Sequence, residues 1–190
     1  MPYRPDLALF LLVAGCARSP ASDAPAVPLY DNLGTFSVPI SSSVDSTRRY
    51  FDQGMRLAYA FNHAEAIRAF TEAARLDSTC AICHWAVALA LGPNINDPMD
   101  SASAVAAWDA LERARSLVDH ASPRERALIE ALGSRYRAVP PADRAALDSA
   151  YAKAMVELAT RFPDDLEIAT LTAEALMNLS PWDYWEARGK

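Results

Sequence analysis

The sequence predicts an all-helical protein built from stacked antiparallel helix hairpins. Of its 190 residues, 52% are hydrophobic and only 6 are glycine, a composition typical of packed helical proteins. From about residue 46, apolar side chains recur at steps of three and four, the period of an amphipathic helix. Pairs of such segments return at an interval of about 34 residues, which indicates a repeat array.

Net charge and cysteine content exclude some classes of protein. The formal net charge of −6 argues against a nucleic-acid-binding surface. Three cysteines are too few for a disulfide-stapled scaffold. These properties favour a domain that is held together by helix packing.

Residues 1–15 are predicted to be a targeting segment. Arg4 precedes an apolar run from Leu7 to Val13, which is too short to span a bilayer. Small residues then lead to Cys16 in the letters VAGC, and this pattern resembles a bacterial lipoprotein signal. The resemblance implies cleavage before Cys16, lipidation of its thiol, and export to a cell-envelope membrane facing the periplasm or exterior. The alternative is a non-lipidated signal peptide with an incidental cysteine.

Residues 16–45 are rich in proline, serine and alanine, a composition typical of a solvated tether. The letters TFSVPI alternate as a strand would, but Pro39 argues against a central strand. We therefore expect a disordered linker between the anchor and a helical domain at residues 46–190.

The first helix pair, residues 47–80, places large and small residues at defined positions. Small residues let paired helices approach, and large ones fill the space between pairs. The residues concerned are Tyr50, Gly54, Ala66, Phe70 and Ala73. This pattern resembles a tetratricopeptide repeat, which implies an α-solenoid of helix hairpins. A second unit, residues 81–121, continues the pattern after a longer connection with Ala88, Ala107, Leu111 and Ala114.

Two further units are less regular. Residues 122–163 begin with Ser122 and Glu125 at the spacing of a capping box, and two prolines separate their helices. Residues 164–190 contain a first helix, and the chain stops before a partner helix. Most of residues 34–190 resembles the opening of a family of longer exported bacterial tetratricopeptide-repeat proteins, so we expect a fragment of such a protein.

The letters CAICH place Cys80, Cys83 and His84 in the order of a c-type haem attachment site. In that interpretation His84 would ligate the iron, with four candidates for the opposite ligand: Met55, Met99, His63 and His120. The alternative is a repeat helix in which the two cysteines form a disulfide or stay buried as thiols. No second ligand cluster is near, so no metal site is predicted.

Two other segments are candidates for binding. The loop GPNINDP offers Asn94, Asn96 and Asp97 to a ligand or partner, or it is a connector whose side chains cap helices. Near the end of the chain, three aromatic residues form an adhesive edge or pack against a following helix: Trp182, Tyr184 and Trp185.

The chain contains none of the common hydrolase, metalloprotease or phosphate-loop motifs, so it is not expected to be an enzyme. The sequence predicts a membrane-anchored extracytoplasmic scaffold whose groove holds an unidentified peptide or partner protein. One alternative is a haem-bearing redox protein that uses Cys80, Cys83 and His84. Another is a non-catalytic part of an enzyme whose active site lies beyond residue 190.

Overall fold

The computed structural model describes residues 27–185, which form seven α-helices and one short 3₁₀ helix without any strand. The predicted signal peptide and Cys16 lie outside the described residues. The helices are α1 (Asp45–Tyr59), α2 (His63–Leu76), α3 (Ala81–Ala90), α4 (Ser101–Ser116), α5 (Pro123–Leu132), α6 (Ala145–Arg161) and α7 (Leu166–Met177), with the 3₁₀ helix at Val118–His120. The all-helical prediction is confirmed.

Helices that are neighbours in the chain pack against each other along the molecule. Helix α1 packs on α2, and α3 contacts α2, α4 and α5. Helix α6 then contacts both α5 and α7. The buried core between these helices is continuous from the first helix to the last.

A close contact between α1 and α2 involves Gly54 of α1. A Cβ atom at this position would lie 2.4 Å from Cε1 of Phe70 on α2. Phe51 lies beside the same ring, with centroids 5.4 Å apart. Because glycine has no side chain, the aromatic ring of Phe70 fits against the backbone of α1 and closes the first hairpin.

The prediction of a disordered linker is not confirmed for residues 27–44, which make hydrogen bonds to α1. Val38 is buried, and its N–H donates to Oδ1 of Asp52 at 2.9 Å. Gln53, on α1, accepts from the N–H of Tyr30 and donates to the carbonyl of Pro28, both at 2.8 Å. Asp52 and Gln53 of α1 thus hold residues 27–44 in place, although the composition of this segment is typical of a solvated tether.

The start of α5 is fixed by the predicted capping box. Ser122 accepts from the N–H of Glu125, whose carboxylate accepts from the N–H of Ser122. Glu125 is only 1% exposed and also accepts from the N–H of Ser41 at 2.8 Å. The hydroxyl of Ser41 is a third donor to this carboxylate, and the three hydrogen bonds compensate for its removal from water.

Helix α5 ends at Leu132, and Gly133 is its C-cap residue. The following residues turn inward instead of continuing the helix, and Arg135 and Tyr136 are both buried. The hydroxyl of Tyr136 donates to the carbonyl of Ala88 on α3 at 2.7 Å. This contact with the preceding unit replaces the final helical turn.

Replacing Gly54 with leucine is expected to destabilise the first hairpin by about 1–3 kcal/mol through overpacking against Phe70. The higher helix propensity of leucine, worth roughly 1 kcal/mol over glycine, offsets only part of this cost. Thermal melts followed by circular dichroism measure the effect, with exposed Ala146→Leu as the control. An unchanged melting temperature for Gly54→Leu would contradict this helix contact.

Asp165 is expected to make the stability of α7 depend on pH. Its side chain caps α7 and pairs with Arg124, with Oδ1 3.1 Å from Nη2, and this hydrogen bonding lowers its pKa below 3.8. The stabilisation is therefore complete above the unfolded pKa and is lost as the pH falls through the lower folded value. In urea melts, the free energy of unfolding of the wild type should exceed that of Asp165→Asn at pH 7 but not near pH 2. The exposed neighbour Asp164→Asn is the matched control variant.

Candidate functional site

A largely apolar cavity of about 290 Å³ opens between α1, α2, the end of α3 and α7. We call it the apolar cavity. Residues from six segments of the chain line it, and most are aliphatic or aromatic: Met55, Ala58, Tyr59, Phe61, His63, Phe70, Leu89, Ala90, Gly92, Pro93, Asn94, Ile95, Thr170, Leu171, Ala173, Glu174 and Met177. Such a lining, with a few polar groups, is typical of binding sites.

Helix α7 approaches α1 at the rim of this cavity. The hydroxyl of Tyr59 donates to Oε1 of Glu167, and Thr170 and Glu174 follow on the same side of α7. Burial raises the pKa of Tyr59, and the charges of Glu167 and Glu174 raise it further. Burial also raises the pKa of Glu167, although the hydrogen bond from Tyr59 opposes that shift. The carboxylates of Glu167 and Glu174 therefore both lie on the α7 side of the cavity, near Tyr59.

Arg135 lies behind the cavity wall and is only 1% exposed. Its Nη2 donates to the carbonyl of Pro93 at 2.7 Å, and its guanidinium stacks 4.7 Å from the ring centroid of Tyr151. Nε lies 3.8 Å from Asp148, and Nη2 lies 4.0 Å from Glu174. One buried cation thereby joins the loop after α3 to α6 and α7.

We call this group of polar side chains the Arg135 network: Arg135, Arg144, Asp148, Tyr151, Glu174 and Asn178. Within residues 27–185, the buried side-chain atoms without a hydrogen-bond partner all belong to it: Arg135 Nε, Arg144 Nε, Tyr151 Oη, Glu174 Oε2 and Asn178 Oδ1. Buried polar atoms are nearly always paired, so their concentration here marks a site with capacity for further hydrogen bonds.

The GPNINDP loop is held against this network. A Cβ on Gly92 would lie 2.6 Å from the hydroxyl of Tyr136 and 2.9 Å from Nη1 of Arg135. The carbonyl of Pro93 also accepts from Nδ2 of Asn178 at 3.3 Å. Glycine is required here because the loop backbone rests directly on buried side chains.

The predicted binding residues of this loop occupy two different cavities. Asn94 lines the apolar cavity and also a second cleft of about 770 Å³ on the far side of the loop. Asn96 and Asp97 line only that second cleft. The backbones of Asn94 and Asp97 pair at 3.0 and 3.1 Å, and Asp100, not the predicted residues, caps α4. The loop therefore forms a wall between two cavities.

Cys80 and Cys83 are joined in a disulfide at the start of α3, with Cα atoms 5.4 Å apart. Both residues are buried in the core, and Cys83 is completely inaccessible. His84 is partly buried, and burial, followed by the charge of Arg113, lowers its pKa. A haem bound through thioether bonds would require this disulfide to open and both cysteines to leave the core.

The predicted repeat positions are buried with one exception. The buried residues are Gly54, Ala66, Phe70, Ala73, Ala88, Ala107, Leu111 and Ala114. Tyr50 is partly buried instead, and its hydroxyl donates to the carbonyl of Val27 at 2.8 Å. Its ring thus anchors the preceding segment.

Local sequence patterns did not indicate the Arg135 network, because its members come from three separate segments: the turn after α5, α6 with its N-cap, and the end of α7. One local feature could have indicated the network: Gly133 ends α5, and Arg135 and Tyr136 follow shortly after it. The predicted aromatic segment after α7 is exposed: Trp182 is 71%, Tyr184 is 37% and Trp185 is 76% exposed. No described helix covers these rings.

Membrane-spanning helices, metal-binding clusters and similar proteins bear on what the site can do. Within residues 27–185, no helix is long and apolar enough to cross a membrane, and no cluster of histidine, cysteine and carboxylate side chains could hold a metal ion. No family model, curated protein or solved structure matches the chain. The function of the chain is therefore inferred from the geometry of the apolar cavity and of the Arg135 network.

The disulfide leads to a direct chemical test of the haem alternative. Protein directed to the periplasm of a host that attaches haem is expected to be colourless. Its intact mass should be lower by the two thiol hydrogens, a loss that Cys80→Ser abolishes. A Soret band with a haem mass adduct would instead make Cys80, Cys83 and His84 the functional centre.

Proposed function

We propose that this protein is an exported, lipid-anchored tetratricopeptide-repeat scaffold that binds a segment of a partner polypeptide in its apolar cavity. The observation that carries the proposal is the cavity itself, whose walls come from α1, α2, α3 and α7. The lipoprotein-like residues ending at Cys16 support the location. The spacing of small residues supports the repeat class.

The helix contacts are compatible with this repeat class. Gly54 lies against Phe70 across the first hairpin, as a small residue facing a large one must. Helix α3 touches the helix before it, its own partner and the first helix of the next unit. Stacked hairpins of this kind present their first helices on one side, where a partner can bind.

The lining of the apolar cavity suits a polypeptide side chain. Met55 and Met177 lie in the lining, and methionine side chains adapt to differently shaped partners. Tyr59 and Phe61 add exposed aromatic surface at the mouth. Aromatic and methionine residues are enriched at protein interfaces, so this composition favours a protein ligand.

Filling the cavity should abolish binding without unfolding the protein. Ala173 is exposed and lines the cavity, whereas Ala169, one turn earlier on α7, is exposed and does not. Tryptophan at residue 173 is expected to weaken binding at least about tenfold, because its indole occupies the space of the ligand. Tryptophan at residue 169 is the matched control.

The measurement uses an array of random octapeptides, acetylated and amidated, probed with the labelled full chain. Selected peptides are resynthesised, and their dissociation constants are measured by fluorescence polarisation. The proposal predicts that Ala173→Trp loses these peptides and Ala169→Trp retains them. Absence of any selected peptide, or equal binding by both variants, would show that the cavity is not a peptide site.

A further inference from the structure

We propose that the apolar cavity binds a lysine side chain of the partner polypeptide, with its ammonium group directed to the carboxylate of Glu174. This inference rests on the proposed function, because it names the chemistry of the segment that the scaffold holds. Four features of the cavity support it: its charge, its hydrogen-bonding groups, its aromatic rings and its apolar wall.

The lining carries one carboxylate, that of Glu174, and no lysine or arginine. Glu167 adds a second negative group at the rim through its hydrogen bond with Tyr59. Glu174 lies in the lining with Tyr59, and its charge raises the pKa of the Tyr59 hydroxyl, after burial and Glu167. The charges at the cavity therefore complement a cation.

The carboxylate of Glu174 is incompletely compensated within the protein. Its Oε1 accepts from Asn178, and Arg135 approaches only to 4.0 Å from behind the wall. Its Oε2 is buried and has no partner, although the side chain as a whole is 36% exposed. A buried carboxylate oxygen without a donor is costly, and an N–H group donated by the ligand would remove that cost.

The aromatic rings favour a cation in the same place. Tyr59 and Phe61 line the cavity and are 39% and 53% exposed. The faces of aromatic rings attract ammonium groups, and a carboxylate beside such rings strengthens the attraction. An anionic or purely aliphatic end group gains nothing from this arrangement.

The apolar wall selects lysine among cationic side chains. Lysine buries its four-carbon stem along apolar surface and presents a compact charge at its end. The wall beside Glu174 offers such surface from Leu89, Ile95 and Leu171. Arginine carries five donors in a rigid plane, and one unpaired carboxylate oxygen leaves most of them without partners.

The test compares lysine with its uncharged isostere. Octapeptides selected on the array are expected to share a lysine at one position, and replacing it with norleucine should weaken binding about tenfold. Glu174→Gln should reduce binding of the lysine peptide to the level of the norleucine peptide, which itself stays unchanged. Glu157→Gln, an exposed carboxylate on α6, is the control and should keep the preference for lysine.

Each outcome separates this inference from the proposed function. If no octapeptide binds, the scaffold function fails and the inference fails with it. If peptides bind but norleucine equals lysine, the function stands and the lysine site is wrong. Selection of arginine in place of lysine also overturns it. The comparison of peptides on wild-type protein remains decisive even if Glu174→Gln fails to fold.

Discussion

The burial of Arg135 is the constraint on which the rest of the site depends. Its guanidinium lies in the core, stacked on Tyr151, and holds the carbonyl of Pro93 at 2.7 Å. A buried cation requires nearby anions and acceptors, so Asp148 and Glu174 must face it from α6 and α7. The position of α7, and with it one wall of the apolar cavity, follows from this requirement.

Close packing of small residues supplies the frame around that cation. Gly54 lets Phe70 reach the backbone of α1, and Gly92 lets the loop rest on Tyr136 and Arg135. Gly92 lines the apolar cavity, and Gly54 positions Phe70, which is also in the lining. Each glycine replaces side-chain volume with direct contact, and the space that remains in the cavity is where a partner side chain would enter.

Local patterns in the sequence predicted the helices and their close contacts well. The steps of three and four around Gly54 and Phe70 predicted the first hairpin, and Ser122 with Glu125 predicted the start of α5. The same reasoning placed residues 16–45 in a disordered tether. It gave no sign of the contacts that residues 27–44 make, because their partners, such as Glu125 for Ser41, lie far away in the chain.

The sequence by itself determined the helices and the spacing of small and large residues, because both depend on neighbours within one or two turns. Only the tertiary structure decided that Met55, Ile95 and Glu174 meet around one cavity. It also decided that Arg135 is a core residue, although arginine side chains usually lie on the surface. These properties arise from contacts between distant segments, and periodicity along the chain contains no information about which distant charges will face each other.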